Sequence, residues 1–389
     1  MKYDFDEVID RRHTHAIKTD ALLPRWGRDD LIPLWVADMD FRTPPFVMDA
    51  LRKRCEHEIL GYTTPGEDYY RAIENWVDSR FGWKIQKDEI LFCPGVVPGI
   101  TFSVLSMTQP GDKVLIQPPV YHPFRWVVEQ NGREVVTNPL ILENGIYRMD
   151  TDHFKKVVSD CKLFILCNPH NPGGIVWDVE TLKEIAEICY ENGTIVVSDE
   201  IHADLTLPPY KHHPFATVSE KARMNSITFM SPSKAFNMAG LGSAYSIIIN
   251  KNIRDCYRRF VDGGELAEGH IFAYPSVVAA YSNGVEWLNE CLSYIQKNID
   301  FTIDFCRDNM PKIVPVRPHA SYLVFLDCRD LDLSHNDLIN LFVEGAHLAL
   351  NDGAIFGHEG DGFMRLNVAT PRTVLAKALH QLRDAYIKI

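Results

Sequence analysis

KLFILC (162–167) is a short continuous apolar run, as a strand buried on both faces requires. It stops at NPHNPGG (168–174), where closely spaced prolines and glycines fix a loop. VETLKEIAEICYENG (179–193) follows, with Leu182, Ile185, Ala186 and Cys189 at helical spacing. Thr181-x-x-Glu184 is predicted to cap its start, and Asn192-Gly193 ends it. TIVVSDEIH (194–202) then reads as a second buried strand. Strand, helix, strand is the βαβ unit of a largely parallel sheet covered on both faces. Ligands of such sheets lie beyond the carboxyl ends of the strands.

The same pattern extends in both directions. EILFC (89–93) halts at Pro94-Gly95 and leads into a helix-like GITFSVLSM (99–107). KVLIQ (113–117) ends at Pro118-Pro119, and SITFMS (226–231) and SAYSIIIN (243–250) read as two more strands. Near residue 285 the pattern changes. Two amphipathic helical segments (286–310), SYLVFLDC (321–328), a helix near 334–347, the strand-like FMRLNV (363–368) and a final helix read as α+β, with a boundary near 284. The first 30 residues are polar and irregular, like an arm lying on another surface.

At 389 residues the chain is long enough for two or three domains and for a core without disulfides or a structural metal. With 46% hydrophobic and 24% charged residues it belongs to the globular class. Forty basic against 52 acidic residues give a net charge of −12, which argues against nucleic-acid or anionic-membrane partners but leaves room for a basic pocket that takes a small anion. Nine scattered cysteines with no CxxC fit reduced thiols. The N-terminus lacks an apolar signal segment and no stretch approaches 18 apolar residues, so a cytoplasmic protein is expected. Neither GxGxxG nor a P-loop occurs, which leaves a nucleotide or nicotinamide reading little support.

The four strand ends carry the candidate chemistry. SPSK (231–234) places Lys234 at a strand-to-helix corner behind the hydroxyls of Ser231 and Ser233. A lone Lys is usually a solvated surface group, but one held in a desolvated site acts as nucleophile or base. Asp199 ends a buried strand and is a turn carboxylate or a functional one with equal weight. Asn168 and Asn171 sit in a rigid loop suited to ligand contacts. Val96 and Val97 begin a helix whose free amides would form an anion cup, a weak signal alone. His13-x-His15 and His212-His213 lack further ligands at metal-site spacing and read as structural or surface residues.

Taken together, IPLWVADMDF (32–41), GYTTP (61–65), PPVYHPF (118–124), CNPHNPGG (167–174), VSDEIHADL (197–205), SPSKAFNMAGL (231–241) and GFMRLNVATPR (362–372) are specific. Over almost the whole chain they resemble the fold-type-I pyridoxal-phosphate enzymes of the class I/II aminotransferase superfamily, and within it the cystathionine β-lyase/C–S lyase branch. The resemblance implies an α/β, PLP-dependent transferase-like fold. Residues 51–284 would form a large domain with a mostly parallel seven-stranded sheet, and 1–50 with 285–389 a smaller α+β domain bearing the N-terminal arm.

The resemblance also implies the site. Lys234 matches the lysine that holds pyridoxal 5′-phosphate covalently and later shuttles the Cα proton. Asp199 matches the partner of the pyridinium N–H, and Asn171 and His202 the contacts to the ring oxygen, where many aminotransferases have Tyr in place of His202. Tyr121 matches the aromatic stacked on the ring. The Val96 and Val97 amides with the Ser231 and Ser233 hydroxyls would hold the phosphate. Tyr62 would reach the phosphate of the neighbouring subunit, which implies a homodimer. Arg365 matches the clamp on the substrate carboxylate, aided by Asn171 and Tyr121, whereas Arg372 has the better claim to a structural role. Two departures stand out: Gly242 where many aminotransferases have a phosphate-binding arginine, and Ile175 where the branch often has a basic residue. The reaction implied is α,β-elimination from L-cystathionine or a related cysteine S-conjugate to a thiol, pyruvate and ammonia. An aminotransferase is the alternative on the same residues, and an intact Lys234–Asp199–Asn171–Arg365 set argues against a non-catalytic binder.

Overall fold

In the computed structural model, which describes residues 2–389, the apolar runs join into one sheet. Its strands are β1 (Ile90–Cys93), β2 (Lys113–Ile116), β3 (Glu134–Thr137), β4 (Cys161–Cys167), β5 (Ile195–Asp199), β6 (Ser226–Met230) and β7 (Ala244–Ile247). They lie in the order β1-β7-β6-β5-β4-β2-β3. β7 runs antiparallel to β1 and β6, and the remaining pairs are parallel. The sequence reading missed β3, a four-residue edge strand whose side chains are exposed or half-buried and give no apolar run.

Along β4 the burial alternates between two faces. Phe164 and Leu166 pack with Leu182, Ile185 and Ala186 of the helix Val179–Asn192, while Leu163, Ile165 and Cys167 pack with Val96, Ile100 and Val104 of the helix Val96–Met107. Both faces are thus covered, as a parallel sheet demands. A Cβ on Gly99 would lie 2.4 Å from the Phe229 ring, so this close helix–sheet approach requires glycine.

The helix Val179–Asn192 starts one turn before its expected cap. Asp178 is the N-cap: its carboxylate accepts from the Thr181 amide at 2.8 Å and the Thr181 hydroxyl at 2.7 Å. Glu184 instead faces solvent and pairs with Lys155. Gly193 closes the helix in the left-handed region at φ 67°, as expected.

A second, antiparallel sheet is built from β8 (Val314–Val316), β9 (Leu323–Asp327), β10 (Asn351–Asp352) and β11 (Phe363–Asn367), in the order β8-β9-β11-β10. The two helical segments expected over 286–310 are one helix, Val285–Asn309, because its buried positions recur without a break. The helix expected over 334–347 is a short turn, His335–Asn340, continued by a π-turn at Leu341–Gly345. The N-terminal arm is more ordered than its composition suggests. It contains the short helices Ile17–Asp20 and Leu22–Trp26, and it buries Phe5 against Phe41, Trp287 and Tyr294 of its own chain. Among the described residues no helix is long and apolar enough to cross a membrane.

The corrected cap is testable by urea denaturation of the full chain. Asp178→Ala is expected to cost about 1 kcal/mol, and Glu184→Ala less than about 0.5 kcal/mol because it removes only a surface ion pair.

Candidate active site

The loops after β4, β5 and β6 and the helix after β1 enclose a cavity of about 220 Å³ at the carboxyl edge of the large sheet. One wall is the N-terminus of the helix Val96–Met107, where Pro94, Gly95, Val96 and Val97 line the space. The first amides of a helix have no intrahelical acceptor and carry partial positive charge, so they suit an anion. Facing them is the turn that begins directly after β6. Ser231 Oγ donates to the Ser243 carbonyl at 3.2 Å and accepts from the Ser233 amide at 3.1 Å. Ser243 lines the same cavity, is buried, and its Oγ has no hydrogen-bond partner among the described residues. Sequence reasoning missed Ser243, because a serine opening a strand carries no signal until the sheet sets it beside Ser231.

Gly242 adopts φ +51°, and a Cβ there would approach the Pro94 carbonyl oxygen to 2.9 Å. That geometry excludes an unstrained arginine at this position. Ile175 is packed in the apolar cluster with Trp177 and Leu182, which explains why a basic residue does not occupy it.

Asp199 closes β5 and points into the cavity. Its Oδ1 accepts from the Ile201 amide at 3.1 Å, and burial drives its carboxyl up to about 7. Lys234 donates from Nζ to the Ala37 carbonyl at 2.7 Å. Burial lowers its amine to about 8, an effect that Asp38 and Asp199 oppose and Arg365 reinforces. His202 lines the cavity with Nδ1 unpartnered among the described residues; burial pushes it down to about 3, so it is neutral. Tyr121 contributes its ring from the loop after β2.

Asn171, in the loop after β4, accepts at Oδ1 from Arg365 Nη1 at 3.0 Å, which frees its own amide N–H groups for a ligand. Arg365 lies on β11 and is buried. Its Nη2 donates to the Trp35 carbonyl at 3.0 Å and its guanidinium sits 4.9 Å over the Phe356 ring. Burial lowers it to about 10, so it remains a cation with Nε unpartnered among the described residues. Arg372, by contrast, donates to Asn298 and stacks on Phe301, a structural placement.

Nine of the expected residues therefore line one cavity, and Arg365 joins them through Asn171. Tyr62 does not: within one chain it is fully exposed and outside the cavity lining. The wall formed by Ala37, with Tyr322 OH donating to its carbonyl at 3.0 Å, was also not foreseen.

Residues 29–382 match the family of aminotransferases of class I and II. This chain belongs to that family. It is 40% identical over 384 residues to cystathionine beta-lyase PatB of Bacillus subtilis (strain 168), covering 98% of this chain and 99% of that protein. Its structure matches cystalysin from Treponema denticola, which contains a pyridoxal 5′-phosphate cofactor, with a TM-score of 0.97 at 33% identity over 100% of both chains. It also matches the PLP-bound C–S lyase from Staphylococcus hominis with a TM-score of 0.92 at 34% identity, covering 99% of this chain and 98% of that one. The fold is the fold-type-I, PLP-dependent transferase-like one that the motifs implied.

The buried carboxylate has a measurable consequence. Asp199 ionises near 7 in the folded chain against 3.8 ordinarily. The folded state therefore gains from the protonated carboxyl at low pH and loses that contribution as the pH rises from about 4 to 7. In the full chain stripped of ligands, Asp199→Asn is expected to stabilise the fold at pH 8 by on the order of 2–4 kcal/mol, read as a higher thermal unfolding midpoint, and to leave the midpoint nearly unchanged at pH 4.

Proposed function

We propose that this protein is a pyridoxal-phosphate-dependent carbon–sulfur β-lyase that converts L-cystathionine or a related cysteine S-conjugate into a thiol, pyruvate and ammonia. One observation carries the reading: Lys234, Asp199, an anion cup and Arg365 meet around one cavity, in a chain that aligns end to end with a cystathionine β-lyase. The cavity fits the cofactor. Ser243 Oγ is an unpartnered hydroxyl in the cup beside the helix amides, and Asp199 is a buried carboxyl that holds or accepts a proton near neutrality.

In this reading Val96 and Val97 amides and the Ser231, Ser233 and Ser243 hydroxyls hold the phosphate. Tyr121 would stack on the ring, and Asn171 and His202 would hold its oxygen. Pyridoxal phosphate, when bound, supplies an electron sink for the negative charge that develops at the substrate Cα. Asp199 accepts a hydrogen bond from the ring N–H and keeps the proton there. Lys234 would hold the cofactor through Nζ, and the same nitrogen, when free, would be placed to take the substrate's Cα proton. An amine near 8 has a usable free-base fraction at neutral pH. Arg365, oriented in advance by Asn171 and Trp35, grips the α-carboxylate with its remaining N–H groups. The thiolate leaves Cβ with the C–S electron pair, and hydrolysis of the remaining three-carbon unit yields pyruvate and ammonia.

We read the working form as a cytoplasmic homodimer in which Tyr62 reaches the phosphate of the neighbouring subunit. Ile59, Leu60 and Tyr62, at 70%, 68% and 106% exposure, support it: they make an apolar stretch that one chain leaves uncovered. The same reading divides the chain into a large domain, 51–284, and a small one from 1–50 and 285–389. The parallel pairing of Ile32–Pro33 with Leu348–Ala349 supports joining the two ends.

Purified holoenzyme given L-cystathionine and no oxo acid is expected to release pyruvate and thiol in equal amounts over many turnovers. Lys234→Ala should lose the cofactor's yellow colour and about 10³-fold or more of the rate. Amino-group transfer to 2-oxoglutarate without pyruvate would make the protein an aminotransferase instead. For the cup, Ser243→Ala is expected to speed cofactor loss on dialysis about 10-fold or more, the weight of one hydrogen bond to a charged group.

A further inference from the structure

Residues 34–41, LWVADMDF, form a strap whose carbonyls are held one after another by side chains from distant segments. The Trp35 carbonyl accepts from Asn351 at 2.9 Å and from Arg365 at 3.0 Å. Val36 and Asp38 carbonyls accept from Asn367 Nδ2 at 2.7 and 2.6 Å. The Ala37 carbonyl, between them, accepts from Tyr322 OH at 3.0 Å and from Lys234 Nζ at 2.7 Å. The strap thus holds the docking points of both the reactive lysine and the carboxylate-binding arginine.

The N-terminal arm grips the same strap. Arg11 reaches Asp38 through Nη2 at 2.6 Å and Nη1 at 3.0 Å, and Asp40 at 3.1 Å. Lys18, fully buried, places Nζ 2.8 Å from the Asp40 carboxylate, 3.5 Å from that of Asp38 and 3.2 Å from the Asp38 carbonyl. A lysine with no solvent contact is uncommon and costly unless its charge is paired, so this network specifies one arrangement of the arm on the strap. Asp38 is also close enough to Lys234 for each to bear on the other's charge.

We infer that Asp38 is a positioning residue for Lys234. The arm, through Arg11 and Lys18, sets both the place of the Ala37 carbonyl and the share of Asp38's negative charge that the lysine nitrogen feels. This rests on Lys234 being the reactive amine. The groups that face Lys234 are Asp38 and Asp199, which favour its ammonium form, Arg365, which opposes it, and neutral His202. Tyr322 stands behind the shared carbonyl and Tyr121 also lines the cavity. Asp40 shares Arg11 and Lys18 without bearing directly on Lys234.

Opposite signs test the idea. Asp38→Asn removes negative charge beside the amine, so the titration midpoint of Lys234 should fall. Arg11→Gln removes a cation that neutralises Asp38, so the midpoint should rise. Each shift is expected to be about 0.5–1 pH unit, and Asp40→Asn should shift it less than Asp38→Asn does. The midpoint is read in the full chain without cofactor by ¹³C reductive methylation and NMR, with Lys234→Ala assigning the signal, and in the holoenzyme by the pH dependence of cofactor absorbance. A purely architectural network would move the Asp38 and Arg11 variants in the same direction or not at all, and either result overturns the inference. If Asp38→Asn does not fold, Arg11→Gln alone decides: a rise supports the idea, and no change or a fall sinks it. If the wild-type protein takes up no pyridoxal phosphate, the lyase reading fails while the NMR titration still settles the role of Asp38.

Discussion

The register of three parallel strands is the constraint on which the site depends. Cys167 of β4 pairs with Asp199 of β5, and Asp199 pairs with Phe229 of β6. That alignment ends all three strands at one level, so the loop bearing Asn171, the Asp199 carboxylate and the Ser231–Lys234 turn open into the same space. Side chains alternate along a strand, and a slip by one residue would exchange Asp199 with Glu200. Glu200 is committed elsewhere: it accepts from Ser198 Oγ and the Phe215 amide, each at 2.8 Å, and meets His212 Nε2 at 2.7 Å in a fully buried network. The network fixes which of two adjacent carboxylates faces the cavity, and gives His212 a structural role.

Once the strand ends meet, burial tunes the chemistry. The same desolvation that raises Asp199 lowers Lys234, so an acid and an amine that ordinarily ionise more than six units apart come to about 7 and about 8. Lys234 then has a free-base fraction near neutrality, and Asp199 ionises there when a cationic group adjoins it. Arg365 is desolvated as well, but its intrinsic basicity is high enough that it stays charged. One physical effect therefore leaves two groups ionising near neutrality and a third fixed as a cation.

The sequence revealed those parts of the fold and site that rest on local chemistry. Continuous apolar runs marked six of the seven strands, and their ends pointed to Lys234, Ser231, Ser233, Asp199, Asn171, Val96 and Val97, whereas Tyr121 and His202 were reached only through the family resemblance. What escaped notice depends on distant partners. β3 is half-exposed and short, so no apolar run marks it. Thr181-x-x-Glu184 has the spacing of a capping box, but Asp178, three residues earlier, reaches the Thr181 amide first, and spacing alone does not rank two candidate caps. Ser243 and the Ala37 carbonyl acquire meaning only when the sheet and the strap bring them to Ser231 and Lys234. Tyr62 is legible as a motif residue, yet within one chain it stays exposed and outside the cavity lining.

Gly242 links the anion cup to the electrostatics of the lysine. A left-handed backbone and the nearby Pro94 carbonyl keep a large side chain out of this position, so the cup offers neutral hydroxyls and helix amides in place of a guanidinium. Of these neutral donors the helix amides are already oriented by the backbone and Ser243 Oγ is unpartnered among the described residues, while Ser231 must turn its O–H from the Ser243 carbonyl to reach a ligand. Omitting the guanidinium also limits the positive charge near Lys234. Among the charged groups that bear on its amine, Arg365 is the cation and Asp38 and Asp199 are the anions. A further cation in the cup would have depressed both the amine and the Asp199 carboxyl. The glycine that looks like a lost ligand thus spares both groups a further downward shift.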